Sequence, residues 1–118
     1  MRPRRPVHPL DHHPSFRAVV AAAPPLAELV VRLRSRSDAA ELVGTLAIAC
    51  GDLADGFASP PASKRRLSAH HRAWLCVREI DRAVTAAGRR RLAPPDIVKR
   101  AQRAIDKADV LIGALLPL

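Results

Sequence analysis

Arg65 and Arg66 precede His70 and His71 by five residues each, a spacing of cation and imidazole that could serve phosphodiester chemistry. The His would act as general base on a ribose hydroxyl, and the Arg would stabilise charge on the phosphate. On one helix, positions five apart project about 140° from one another at 3.6 residues per turn. Such a site would therefore have to assemble between two subunits. A second candidate set is acidic: Asp52, Asp55 and Glu79. Asp52 and Asp55 stand three apart near an expected helix end, where carboxylates oppose the dipole unless a cation pairs with them. Arg72, Arg78 or Arg82 could supply that partner across a bundle. No His or Asn completes a metal shell around these carboxylates, and His8, His12 and His13 lack a companion set of Cys or carboxylates. No metal site and no cofactor is expected. No Ser-His-Asp set, phosphate-binding Gly loop or Cys-x-x-Cys occurs.

Charge is the stronger signal. Residues 63–93 hold nine Lys or Arg and only two acids, whereas residues 37–62 hold four acids (Asp38, Glu41, Asp52 and Asp55) and no base. Arg2, Arg4 and Arg5 add positive charge at the start. Positive charge concentrated on ordered structure attracts a polyanion, most often nucleic acid, with an affinity that falls as salt rises. The plainer reading is a solvated face that keeps a small protein in solution. The expected nucleic-acid contacts are Arg65, Arg72, Arg78, Arg82, Arg89, Arg90, Arg91, Lys99 and Arg103. No aromatic interleaving or groove-reading motif accompanies them, so the contacts should go to phosphates with little sequence preference.

These residues must be carried by a single helical domain. A chain of 118 residues is one domain with a modest core. Hydrophobic residues make up 48% and aromatics only 3%, so the core must be Ala, Leu, Val and Ile, the filling of close-packed helices. So few aromatics argue against modules that stack Phe or Tyr on bases, such as RRM or OB folds. Cys50 and Cys76 fall in apolar helical stretches and read as small buried hydrophobes of a reducing compartment, a disulfide being the alternative. No apolar run is expected to reach the ~20 residues of a membrane span. Residues 18–23 after an Arg-rich start mimic a signal peptide, but the apolar stretch is short and its flank is broken by Pro and His. A cytoplasmic protein is expected.

Residues 1–14, with four Pro, three Arg and three His, read as a flexible basic tail, and 15–118 as the bundle domain. Helices are predicted near 16–35, 38–57, 63–88 and 95–116, with no strand. Pro24-Pro25 either kinks the first helix or divides it in two. Ser37 or Asp38 should cap the second, Asp38 and Glu41 having capping-box spacing. That helix is apolar nearly all round and must be covered on several sides, by neighbours or by another subunit. Gly56 is a natural stop for it, and Ser59-Pro60-Pro61 a firm one. Ser63 should cap the third helix, whose stripe is Ala69, Ala73, Cys76, Val77, Ile80, Val84 and Ala87. Gly88 should open the turn to Pro94-Pro95 and the fourth helix. Leu67 and Trp74 at the stripe's edge are expected at an oligomer interface. Short connections between four helices imply an all-α, up-and-down bundle.

Gly51-Asp52-Leu53-Ala54-Asp55-Gly56-Phe57 resembles the Asn-Ile-Ala-Glu-Gly-Phe signature of the family named four-helix bundle proteins. That family includes proteins encoded in ribosomal-RNA intervening sequences and accessory variability determinants of diversity-generating retroelements. Asp52 stands at its Asn, Asp55 at its Glu and Gly56 at its Gly. Residues 73–80 are similar to its Ala-Arg-Gly-Ser-Leu-x-Glu-Leu stretch, with Glu79 at the matching acid, and residues 110–116 to its closing helix. Asp replaces both Asn and Glu, and the Arg usual after Gly-Phe is absent, so the subfamily stays open. The resemblance implies a homopentameric barrel of bundles with a basic surface. For the retroelement members it implies binding of nucleic acid (RNA or an RNA/DNA hybrid) and partnership with a reverse transcriptase. Arg66-Leu67-Ser68-Ala69-His70-His71 also fits the Arg-φ-x-x-x-His motif of HEPN ribonucleases, although that motif usually opens the last helix of its domain and here opens the third.

The leading expectation is thus a non-enzymatic, homo-oligomeric nucleic-acid-binding accessory protein. Its alternatives are a HEPN-like dimeric ribonuclease and an oligomeric scaffold that binds no nucleic acid.

Overall fold

The computed structural model describes residues 9–33 and 36–117. A short 3-10 helix, Pro9–His12, leads into helices α1 (Pro14–Arg32), α2 (Arg36–Ala58), α3 (Lys64–Arg89) and α4 (Pro95–Gly113). No strand occurs among the described residues. Each helix packs on the next in the chain, and α4 closes the ring against α1. This is the all-α four-helix bundle that the periodicities predict.

The elements follow from local sequence. Pro14 and Pro95 sit in the first turns of α1 and α4, where a missing N–H costs no helical bond. Ser63 caps α3, its Oγ accepting from the Arg66 N–H at 3.1 Å. Pro24 and Pro25 do not divide α1, which runs through them as one helix. Their missing N–H groups leave the carbonyls of Val20 and Ala21 without helical donors, and Val20, Ala21 and Pro24 all lie at the exposed surface, where water can take those oxygens. Helix α2 begins at Arg36, so the expected cap at Ser37 or Asp38 falls inside its first turn, on side chains outside the described ones.

The core is aliphatic. Leu29, Leu53, Ile80, Ile105 and Ile112 are its largest fully buried side chains, with Val19, Val77 and Val84 filling between them. The predicted stripe of α3 is buried except for Cys76, which like Cys50 is half-buried and free. Burial pushes both thiols up from their ordinary range, and the nearby Asp52 and Glu79 carboxylates push Cys76 further.

Several expectations need correction. The tail expected over 1–14 loses its last residues to ordered structure: Pro9–His12 is helical, α1 starts at Pro14, and the His13 ring stacks on Phe57 with centroids 3.7 Å apart. Residues 1–8 lie outside the described residues. Gly56 does not stop α2, which continues to Ala58. Gly88 does not open the turn either, since α3 runs on to Arg89. Helix α1, at 19 residues and a mean hydropathy of 1.3, is long and apolar enough to compare with a membrane span, contrary to expectation. Its Val19, Ala22, Leu26 and Leu29 are nonetheless buried within the bundle.

Candidate nucleic-acid interface

The nine cations do not form one patch. At 1.5 Å per residue, Arg65 lies about 36 Å along α3 from Arg89, so the two mark opposite ends of the bundle. At the first end two of the nine are paired. Arg65 pairs with Asp55 at 3.4 Å and Arg72 with Asp52 at 3.4 Å, both across the junction of α2 and α3. Midway, Arg78 meets Asp109 of α4 at 3.7 Å and lies over the Trp74 ring at 5.3 Å. These exposed pairs add little stability, on the order of 0–1 kcal/mol each. Their consequence is electrostatic: Asp52 and Asp55 have structural partners, and three of the nine cations already face a carboxylate.

The other six do not. Arg82, Arg89, Arg90, Arg91, Lys99 and Arg103 form no ion pair among the described residues. A polar bridge sets the register of α3 on α4 here. The Gln102 amide donates to Asp81 and, at 2.9 Å, to Asp106, while its oxygen accepts from Thr85 Oγ1 at 3.2 Å. Gln102 thus lies level with residues 81–85, which brings Arg103 to the height of Arg82. From there the unpaired cations continue to the turn. Arg82, Arg89 and Arg90 border one shallow cleft, together with Asp81. Arg91 and Lys99 border another, and Arg32 at the end of α1 joins them across it. Sequence reasoning missed Arg32, because only the closure of α1 against α4 carries it to this turn.

The turn itself is a Schellman ending. The Leu92 N–H donates to the Ala87 carbonyl at 3.0 Å and the Arg91 N–H to Gly88 at 3.2 Å. Arg91 is the left-handed residue of the motif, with φ 54°. That position favours Gly by about 1 kcal/mol, and an Arg there is a costly choice on backbone grounds alone. Gly88 serves packing instead, since a Cβ on it would lie 3.0 Å from Val98 Cγ1.

The Arg/His set is not brought together as a site. His70 is buried, with 4% of its surface exposed, and its Nε2 has no hydrogen-bond partner among the described residues. Its ring meets Phe57, with centroids 4.7 Å apart, while the Arg66 guanidinium covers the same Phe57 at 5.3 Å. Burial lowers the His70 pKa from the ordinary histidine value, with smaller contributions from Arg66 and His13. His71 is exposed, as expected, and tilts towards Trp74 at 6.1 Å. No group of three or more His, Cys, Asp or Glu placed to hold a metal occurs among the described residues.

Leu67 and Trp74 border a surface groove between α3 and the end of α4. The larger apolar surface lies elsewhere. Val43 and Ile48 of α2 are 56% and 58% exposed, and Ala40, Gly44, Ala47 and Gly51 are exposed beside them. Val20 and Val31 of α1 are exposed as well. Between residues 39 and 51 the only charge is Glu41.

Comparison with known proteins gives no match to a family model, a curated protein or a solved structure.

Proposed function

We infer that this chain is a non-enzymatic, homo-oligomeric nucleic-acid-binding protein of the cytoplasm. The observation that carries the reading is the group of unpaired cations around the turn from α3 to α4, Arg82, Arg89, Arg90, Arg91, Lys99 and Arg103, with Arg32 beside them. Cations that form no ion pair within the chain release the most counterions when they meet phosphates. The left-handed Arg91 supports the same reading, because strained backbone tends to be kept where the side chain has a task. Binding is to phosphates with little sequence preference, on RNA or an RNA/DNA hybrid. The resemblance at residues 51–57 extends the proposal to an accessory protein of a reverse transcriptase in a diversity-generating retroelement.

Self-association is proposed through the exposed apolar surface of α2 around Val43 and Ile48. An exposed apolar face of this kind marks an interaction surface. Five copies are the number that the family resemblance suggests.

The deciding experiment reverses charge at Arg89, Arg90 and Arg91 and titrates labelled single-stranded RNA over a range of salt. We expect weaker binding and a salt slope reduced by about 2–3, near 0.7 per lost phosphate contact on a single strand. Unchanged affinity in a folded variant would leave the scaffold reading. Light scattering that reports a monomer at micromolar concentration would end the self-association proposal, and a stable dimer would end the pentamer.

A further inference from the structure

We propose that the groove around Trp74 is a stacking site for one unpaired base of a single-stranded nucleic acid. The inference rests on the nucleic-acid reading above and adds a contact that phosphate binding alone does not require.

The groove has the composition of a nucleotide site. Its apolar floor is Leu67, Trp74 and Leu116, and its rim carries Lys64 and His71, with no acidic side chain bordering it. At about 600 Å³ it falls within the range of pockets that take small ligands, whereas the tighter cavity between α2 and α3, about 140 Å³, does not. The Arg78 guanidinium stands over the ring at 5.3 Å, held by Asp109 at 3.7 Å. His71, at the rim of the groove, has its ring inclined at 40° to the indole with centroids 6.1 Å apart. An indole bordering an apolar groove with cations and no acid at its rim suits a planar base flanked by phosphates. The indole N–H has no partner among the described residues, and Gly113 lies beside it, where an added Cβ would sit in ordinary contact at 3.8 Å from Nε1. A base stacked in the groove can accept from that N–H, while the flanking phosphates lie within the field of Lys64. Duplex nucleic acid offers no unstacked base and cannot fill the site.

The chain has one Trp, so its fluorescence reports this groove directly. The full-length protein is titrated with oligothymidylate, with an abasic oligonucleotide of equal length and with a blunt duplex, using labelled strands for anisotropy. Oligothymidylate should quench Trp74 emission and bind tighter than the abasic strand. Trp74→Ala should weaken oligothymidylate binding about five- to a hundredfold and leave abasic binding unchanged. Trp74→Phe, which keeps a ring and the packing, should restore most of the affinity. Gly113→Leu should fill the groove and reproduce the Ala variant without touching the core. Equal affinity for thymidylate and abasic strands, with no quenching, overturns the stacking site and leaves phosphate binding standing. Failure to bind any of the three strands overturns the nucleic-acid reading itself. Variants that change oligomer size while affinity per subunit is unaltered would make the groove a subunit contact and overturn the proposal.

Discussion

The imidazole of His70 rests on the backbone of Gly56, so closely that a Cβ on residue 56 would lie 2.4 Å from its Cδ2 and 2.5 Å from its Nε2. That contact joins α2 to α3 and explains why a Gly lies buried in the last turns of a helix instead of ending it. It also places Phe57 between two histidines, His13 stacked on it and His70 tilted against it.

Gly56→Ala should therefore destabilise the protein by about 1–3 kcal/mol, because the ring or the helix must move and the gain in helix propensity does not offset that. The internal controls are Gly44 and Gly51, where an added Cβ meets nothing within 4 Å. Replacing either by Ala should stabilise the isolated subunit by about 0.5–1 kcal/mol. Denaturant melts of the three variants check the order. If subunits pack through the exposed face of α2, the Gly44 and Gly51 variants should also shift the oligomer distribution while Gly56→Ala acts on the fold alone.

The buried His70 gives stability a defined pH dependence. Its pKa is lowered in the folded chain, first by burial and then by Arg66 and His13, so the native state holds it neutral. The unfolded state binds the proton more readily, so stability rises with pH below the unfolded value of about 6.5 and is fully present above it. As pH falls from about 6.5 towards the lower folded pKa, this contribution is progressively lost. His70→Leu should flatten the melting temperature across that interval. A profile that keeps its slope in the variant would show that His70 is not the group responsible.

Much of this bundle is legible in the pattern of side chains, because aliphatic residues at three- and four-residue spacing leave one packing solution. The buried set of α3 and α4 follows directly from that spacing. What escapes it are contacts between helices. Gly56 and Gly88 carry the signal of helix ends, yet both are sites of close approach, to His70 and to Val98. Pro24-Pro25 reads as a break, yet the helix passes through at a stretch where Val20, Ala21 and Pro24 are exposed. The nine cations read as one surface until α2 supplies Asp52 and Asp55 to two of them and α4 supplies Asp109 to a third. Arg32 and Gln102 belong to the site only through tertiary contact, so no local signal announces them.

Arg91 allows backbone strain and charge to be separated. It occupies the left-handed position of the α3 ending, where Gly has no Cβ penalty. Arg91→Gly should raise stability by about 1 kcal/mol and lower the salt slope of nucleic-acid binding by about 1. Arg91→Ala should lower the slope equally without the gain in stability. A Gly variant no more stable than the parent would mean that Arg91 makes a compensating contact in the assembled protein.

The sharpest motif in the chain is tested by RNA cleavage. A general base must reach a ribose hydroxyl, but His70 is buried with its Nε2 edge against α2 at Gly56, and Arg66 is engaged over Phe57. Arg65 is drawn towards Asp55. Only His71 is exposed, and it projects towards the Trp74 groove. Purified protein incubated with labelled RNA should give no cleavage, and His71→Ala should change neither folding nor the RNA. Because His70→Ala would leave a void beside Phe57, loss of activity in that variant alone would report unfolding. The informative comparison is His71→Ala against Arg66→Ala. Cleavage that depends on both, in a protein that stays assembled, would establish the dimeric ribonuclease and displace the non-enzymatic reading.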